Sequence, residues 1–186
     1  MIRRAAALRW GAGLALVGAA WGVMQLTPDD DVMREPFRTW ASVGEHVETR
    51  TLAGAVTDAR LGERISDESG WRDTGMWLVL DLEIAAMETD ADRSLEHVRL
   101  TLDDGTVYTA SERPEDSLYR APTHVGLPRT GSVAFELPLE AADERARIDI
   151  GTELEPWVDA LISLDLDLGS LEVRPSVELL PLGWSG

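Results

Sequence analysis

The sequence contains no Cys, no Lys and no Asn among its 186 residues. Without Cys the chain cannot form a disulfide, a thiolate zinc site, a cysteine nucleophile or a lipid-modified N-terminal Cys. The absence of Lys removes any phosphate-binding loop of the GxxxxGK[ST] type, and the absence of Asn removes every N-glycosylation site. Disulfide-rich modules, zinc–thiolate domains and cysteine hydrolases are therefore excluded.

Basic residues are also scarce, with 17 Arg against 34 Asp and Glu, a net charge of −17 and a pI near 4.4. Nucleic-acid binding requires a clustered basic surface that neutralises phosphates, so this function class is excluded too. The charge is unevenly distributed. Residues 1–26 carry three Arg and no acid, which gives +3, whereas residues 27–186 carry all the acids and a net −20.

The N-terminal region is apolar enough to predict a transmembrane signal anchor over residues 10–26, which contain no charged residue. Counted from Ala5, a helix of about 22 residues would be roughly 33 Å long, which is enough for the hydrocarbon core of a bilayer. The leading Arg cluster predicts a cytoplasmic N-terminus over residues 1–9, and terminal Trp residues can anchor at the interfaces. The residues expected to fix the anchor and its orientation are Arg3, Arg4, Arg9, Trp10 and Trp21.

A cleaved signal peptide is the alternative, because Gly18 and Ala20 loosely fit a small-residue cleavage site. Under either interpretation the body of the chain is exported. Residues 27–35 form an acidic linker whose Pro and Asp residues end the helix. Small residues spaced by four in the anchor, at 15 and 19 and at 18 and 22, would also allow self-association of the helix.

Beyond the linker the hydrophobic pattern has a period of two, which is typical of strands with one buried face. The pattern predicts strands at residues 76–84, 98–102, 107–111, 133–139, 148–150, 164–168, 171–173 and 177–179, with a hairpin turn at Asp104-Gly105. Turn-forming clusters occupy residues 62–75, 88–93, 113–129 and 140–144. Because no segment could serve as a helical crossover, the sequence predicts an antiparallel β-sandwich over residues 36–186.

Three segments carry a resemblance to a known family: the strand Trp77–Ile84, the turn Asp103–Tyr108 and the stretch Gly126–Pro138. With the N-terminal membrane segment, they resemble the telokin-like, immunoglobulin-like domain of uncharacterised exported proteins of Gram-positive bacteria, over roughly residues 44–150. The resemblance implies an immunoglobulin-like sandwich with Trp77 in its core, and implies no reaction. Many members of that family have a lipid-anchoring Cys, so here the apolar helix would anchor the domain.

Catalytic and metal-binding patterns are weak. The three His residues, His46, His97 and His124, have no metal-ligand spacing, and no GxSxG turn is present. The acidic stretch that begins at Asp90 and Asp92 lacks the Gly and Glu of an EF-hand loop, which leaves only a loose calcium site there or at Asp103 and Asp104. The sequence therefore predicts neither an enzyme nor a bound cofactor.

Two pairs of carboxylates are compatible with glycoside hydrolysis, because residues two apart on a strand share a face at a spacing of ~7 Å. These pairs are Asp81 with Glu83 and Asp165 with Asp167. Alternation along a strand also places carboxylates on a solvated face without any catalytic role. A carboxylate-dependent hydrolase is for this reason the weakest of the functional hypotheses.

The long segment 113–129 is the most partner-like part of the domain, because it concentrates Tyr, Arg and His in an acidic chain. We expect Tyr119, Arg120, His124 and Arg129 to contact a partner. The favoured function is a membrane-anchored, extracytoplasmic interaction or accessory module that binds another envelope or membrane protein. The alternative from another class is an exported cation- or polymer-binding protein.

Overall fold

The longest strands are a pair of 15 residues each, and the computed structural model assigns both to one hairpin. It describes residues 13, 16–18, 20–22, 36–87, 93–153 and 160–185. The strands are β1 (Phe37–Trp40), β2 (Val47–Glu48), β3 (Leu52–Ser66), β4 (Arg72–Ala86), β5 (Arg93–Ser94), β6 (His97–Leu102), β7 (Val107–Thr109), β8 (Pro122–Thr123), β9 (Arg129–Leu137), β10 (Arg145–Gly151), β11 (Ala160–Asp167), β12 (Val173–Arg174), β13 (Val177–Glu178) and β14 (Gly183–Trp184). Two 3₁₀ turns occupy Leu139–Asp143 and Leu168–Ser170.

The strands form two main sheets. Sheet A has the order β1-β11-β10-β6-β7, and sheet B has the order β12-β3-β4-β9-β14, with β2 and β13 also paired to β3. A small third sheet joins β5 to β8. One hydrophobic core lies between sheets A and B, with Leu78 and Leu80 from β4 facing Leu100 and Ile148 from β6 and β10. The protein is therefore mainly a β-sandwich, as the alternating pattern predicts.

The pairing is mostly antiparallel, but three edge contacts are parallel: β1 with β11, and β12 and β13 with β3. The prediction of a purely antiparallel sandwich is wrong in this respect. The parallel contacts arise because β1 enters the edge of sheet A beside β11, while the C-terminal strands run along the edge of sheet B. Each is only two to four residues long, in keeping with edge strands.

The predicted turn at residues 62–75 is also wrong, because this segment contains the end of β3 and the start of β4. The actual turn is shorter and is organised by Asp67, whose carboxylate accepts hydrogen bonds from the Trp71 N–H at 2.9 Å and the Ser69 hydroxyl at 2.6 Å. Gly70 has φ of 95°, a left-handed conformation that favours Gly. The predicted hairpin turn at Asp104-Gly105 is confirmed, with Gly105 at φ of 87°.

A second hydrophobic cluster lies on the outer face of sheet B, away from the main core. Trp77 and Val79 from β4 pack there against Val177 and Leu179. Both belong to residues 173–180, which we call the C-terminal segment. Trp77 is fully buried, as the family resemblance implies, but it belongs to this outer cluster and meets Trp71 edge-on at 5.8 Å. The C-terminal segment thus gives sheet B a second buried face.

Residues 1–35 and residues 36–186 form separate compact units. In the first unit, residues 13, 16–18 and 20–22 are helical, and Trp21 is exposed. Arg3, Arg4, Arg9 and Trp10 lie outside the described residues, as does most of the predicted anchor. In the part of the chain that the structure describes, no helix is both long and apolar enough to cross a membrane.

Candidate interaction surface

The segment predicted to be a partner-binding loop, residues 113–129, is held in place by backbone hydrogen bonds to strands β4 and β9 and to Leu95, which follows β5. The Leu118 N–H donates to the Ser132 carbonyl at 2.9 Å, and the Arg120 N–H donates to the Leu95 carbonyl at 2.8 Å. The Ala86 N–H donates to the His124 carbonyl at 3.3 Å. Residues of this segment are therefore presented in a fixed arrangement by the sandwich.

Tyr119 is not available to a partner, which corrects the expectation for this residue. Its side chain is 7% exposed and belongs to the main core, next to the fully buried Leu118. A polar loop of this length must contribute apolar side chains to the core if it is to be fixed against the sheets, and Tyr119 is one of them.

Arg120 is exposed and has φ of 61°, a conformation that a residue with a Cβ adopts rarely. Its Nη1 lies 2.8 Å from Oε2 of Glu112, and its Cζ lies 5.4 Å from the centre of the Tyr119 ring. The backbone reversal turns Arg120 outward while its neighbours on either side, Tyr119 and Ala121, stay buried. Arg120 thus lies apart from the remaining predicted residues, in an ion pair at the surface.

His124 and Arg129 are brought together by a residue that the sequence reasoning did not single out, Trp184. The His124 ring lies 5.3 Å from the Trp184 ring with an interplanar angle of 35°. The Arg129 guanidinium lies 5.1 Å from the same ring, while its Nη1 donates to the Pro122 carbonyl at 2.7 Å. Arg129 thereby connects the segment 113–129 to Trp184.

Trp184 occupies this position because β14 pairs with the start of β9, with Trp184 opposite Arg129. Leu182, two residues earlier, packs against the core, and the Ser185 N–H donates to the Pro128 carbonyl at 3.0 Å. Although its backbone is fixed on both sides, Trp184 remains 54% exposed. A large apolar ring is thus held rigidly at the surface.

Two further apolar side chains extend this surface. Val125 is 46% exposed and Leu127 is 58% exposed, and a β-bridge joins His124 to Leu127 in the tight turn at Gly126, where φ is 69°. We refer to His124, Val125, Leu127, Arg129 and Trp184 as the Trp184 surface. It combines two aliphatic side chains with a Trp ring and an Arg guanidinium, and Trp and Arg are enriched at protein interfaces.

The carboxylate pair Asp81 and Glu83 does not form an open acidic site. Asp81 is 5% exposed and accepts a 2.6 Å hydrogen bond from the Ser132 hydroxyl and a 2.9 Å hydrogen bond from Nη2 of Arg60, whose Nη1 also pairs with it. Arg60 is itself buried, so burial lowers its pKa, but the carboxylates of Asp81 and Asp58 more than offset this and the pKa is raised overall. The charged groups of Asp81 and Arg60 therefore stabilise the fold.

The same network attaches the C-terminal segment to sheet B. Nη2 of Arg60 donates to the Glu178 carbonyl at 2.9 Å, and the Leu180 N–H donates to the Ser132 hydroxyl at 2.8 Å. Burying charged groups is tolerated when they are paired and hydrogen-bonded in this way. The C-terminal segment covers the outer face of β4, and this accounts for the buried polar residues there.

The described residues contain no group of three His, Asp or Glu side chains arranged to bind a metal ion. Asp104 is exposed, and its carboxylate accepts hydrogen bonds from the Thr106 N–H and hydroxyl, which lower its pKa. Asp104 therefore stabilises the hairpin turn. Asp90 and Asp92, the other loose calcium candidates, lie outside the described residues.

The remaining His residues are separate from the Trp184 surface. His46 is exposed in the loop before β2, and His97 is 5% exposed at the start of β6. Asp165 and Asp167, the second predicted carboxylate pair, are exposed on β11 and line a groove with Arg145 and Arg147. The predicted site residues therefore do not form one site. They lie on the Trp184 surface, in the groove on sheet A and in separate loops and strands.

No protein-family model matches this chain, and no curated protein is significantly similar to it. Among solved structures, it is similar to an uncharacterized beta-sandwich protein from Clostridium difficile 630, with a TM-score of 0.47 and 8% sequence identity. The similarity covers 71% of this chain and 96% of the other.

Proposed function

We propose that this protein is a membrane-anchored, extracytoplasmic interaction module of the cell envelope whose Trp184 surface binds another envelope or membrane protein. Residues 10–26 would anchor it with the N-terminus in the cytoplasm, and residues 36–186 would form an immunoglobulin-like sandwich outside. The observation that supports binding most directly is the exposed Trp184 ring, which lies beside both the His124 ring and the Arg129 guanidinium.

An exposed Trp on a rigid backbone is suited to binding because little conformational entropy is lost when a partner covers it. Trp and Arg dominate the binding energy of many interfaces when they lie at the centre of the contact. At Trp184 both residue types coincide, and Val125 and Leu127 add apolar area beside them. The favoured partner surface has an apolar pocket for the ring and a carboxylate or carbonyl group for Arg129.

The binding proposal can be tested by in-cell crosslinking from a photoreactive amino acid at Leu127, which is exposed beside Trp184. The matched control places the same amino acid at Val107, which is comparably exposed but lies on β7 of sheet A. We expect one discrete crosslinked partner from position 127, none from position 107, and loss of the crosslink on Trp184→Ala. Equal crosslinking from both positions, or a crosslink that survives Trp184→Ala, would contradict the proposal.

The topology can be tested separately with introduced cysteines, because the native chain contains none and is its own labelling control. A Ser176→Cys variant, exposed in the second unit, should react with a membrane-impermeant maleimide in intact cells. A cytoplasmic domain would stay unlabelled until lysis. Alkaline carbonate extraction and the mass of the mature chain then distinguish an uncleaved anchor from a cleaved signal peptide.

A further inference from the structure

A groove of about 590 Å³ lies on sheet A, over strands β6, β10 and β11, and shares no residue with the Trp184 surface. Its walls include Trp40, Arg145, Arg147, Asp165 and Asp167. This volume is within the range of about 300–1,000 Å³ that is typical of ligand sites. The groove also contains the predicted carboxylate pair Asp165 and Asp167, which the proposed function does not use.

The strand register places these polar side chains on one face. Asp165 lies opposite Arg147, which lies opposite Thr101 on the next strand, and Asp167 lies opposite Arg145. Neighbouring strands are ~4.8 Å apart and alternate residues along a strand are ~7 Å apart. Groups that donate hydrogen bonds and groups that accept them therefore alternate across the floor of the groove.

Within the described ranges, Asp165, Asp167 and Arg145 form no ion pair, although each carboxylate faces an Arg across the sheet. Arg147 turns instead toward the buried Asp149, where its Nε donates to Oδ2 at 3.1 Å. The exposed carboxylates and the Arg145 guanidinium are thus available to a ligand. A polar ligand that supplies both donors and acceptors could satisfy them.

Trp40 adds an apolar platform at one side of the groove. It lies opposite Ser163 on β11, which is two residues before Asp165, and it is 53% exposed. The face of a Trp ring is apolar and carries the negative part of the ring quadrupole, so it favours contact with C–H groups. A pyranose or furanose ring has C–H groups on its face and hydroxyls at its edge.

The charges of the groove disfavour other ligands. Three carboxylates, including that of Asp103, outnumber two guanidinium groups, and the body of the chain carries −20, so a polyanion would be repelled. The described residues provide no three-residue metal site. The backbone groups of the central strands pair within the sheet, so a peptide cannot add a strand across this face.

We propose that this groove binds a segment of an uncharged polysaccharide, with Trp40 stacking on a sugar ring and Asp165, Asp167 and Arg145 bonding to its hydroxyls. The inference is independent of the proposed protein partner, because it rests on residues of the opposite sheet. It assigns the module a second ligand of a different chemical class.

The test is native affinity electrophoresis of the full-length chain in an uncharged detergent, through gels that contain a soluble uncharged mannan, glucan, galactan or arabinan. We expect at least one of these polymers to retard the protein, and Trp40→Ala to weaken that retardation by about tenfold or more. Asp165→Asn should weaken it in the same direction. Trp184→Ala is the matched control, because Trp184 is as exposed as Trp40 but lies outside the groove.

Three results would overturn the proposal. The first is that none of the four uncharged polymers retards the protein. The second is that Trp40→Ala and Trp184→Ala bind a retarding polymer as well as the unaltered chain does. The third is that polygalacturonate or chitosan binds more tightly than every uncharged polymer and is displaced by salt, which would indicate a charge-selective groove. Circular dichroism of each variant confirms that a loss of binding is not a loss of fold.

Discussion

The outer faces of the two sheets both bury an aspartate, but they differ in what surrounds it. On sheet B, Asp81 is held by Arg60 and Ser132 beneath the C-terminal segment, next to a closed hydrophobic cluster. On sheet A, Asp149 accepts a 2.6 Å hydrogen bond from the Ser163 hydroxyl and pairs with Arg147, while charged side chains around it remain exposed.

Polar residues that are buried stabilise the fold, whereas polar residues that are exposed are available for binding. A buried carboxylate with an Arg and a Ser partner is hydrogen-bonded on both oxygens and is inaccessible to a ligand. The exposed Asp165 and Asp167 are accessible. Acidic residues of the same type, on strands of the same sandwich, thus have different roles because only sheet B is covered by Val177 and Leu179.

The largest expected effect is a difference in stability between variants of two tryptophans, Trp77 on the outer face of sheet B and Trp40 on sheet A. Trp77→Ala removes a fully buried ring from the outer cluster of sheet B and should reduce the free energy of unfolding by about 3–5 kcal/mol. Trp40→Ala, on the open face of sheet A, should change it by about 0.5 kcal/mol or less. Urea unfolding of both variants measures the difference. Equal losses would show that the face of sheet A is as important for folding as that of sheet B.

The second prediction contrasts two aspartates. Asp81→Asn removes one charge of a buried ion pair and leaves Arg60 without its main partner, which should cost about 3 kcal/mol. Asp165→Asn, on the exposed groove, should be nearly neutral for stability, within about 0.5 kcal/mol. If Asp81→Asn is also neutral, the ion pair does not hold the C-terminal segment, and chemical unfolding would reveal this directly.

Only some strands of sheet B could be predicted from the sequence. The strand around residues 76–84 alternates regularly, so β4 is evident. Its partner β3 is not, because small residues such as Gly54 and Ala55 dilute the pattern and register shifts after Val56 and Gly62 change its phase. A period-two search therefore finds β4 and misses the strand that pairs with it.

The candidate site was predictable to a similar extent. His124 and Arg129 were identifiable from the concentration of interface residue types in segment 113–129. Tyr119 was misassigned because composition does not show which side chains of a loop enter the core. Trp184 could be found only through pairing between β14 and β9, whose paired residues lie more than 50 positions apart in the chain. Its one sequence signal is an isolated Trp between Gly183 and Ser185.

The third prediction tests how closely the C-terminal segment is fitted to sheet B. A Cβ added at Gly62 would lie 2.8 Å from both Cγ atoms of Val177, so Gly62→Ala must displace β13 and should cost about 1–3 kcal/mol. Combining it with Val177→Ala removes the methyl groups in conflict. The double variant should therefore be more stable than the sum of the two single effects predicts, by a double-mutant cycle in urea. Simple additivity would mean that the two residues do not touch in solution.

The smallest effect is a pH dependence at the turn that carries Trp71 over the outer cluster. Asp67 is buried, which by itself raises its pKa, but the Ser69 hydroxyl and the backbone N–H groups of Trp71, Asp116 and Glu115 stabilise the carboxylate and lower the pKa overall below 3.8. Because the folded state has the lower pKa, the stabilisation is fully present above the unfolded value of 3.8. It is then lost as the pH falls through the folded value.

The matched variant for this prediction is Asp67→Asn, which cannot ionise and so removes the linkage at this position. The unaltered protein should be more stable than Asp67→Asn at neutral pH, and the difference should shrink as the pH is lowered below 3.8. Unfolding free energies measured in urea across this range provide the check. A difference that stays constant with pH would mean that the hydrogen bonds to Asp67 do not favour its ionised form. The turn would then cover Trp77 through the packing of Trp71 alone.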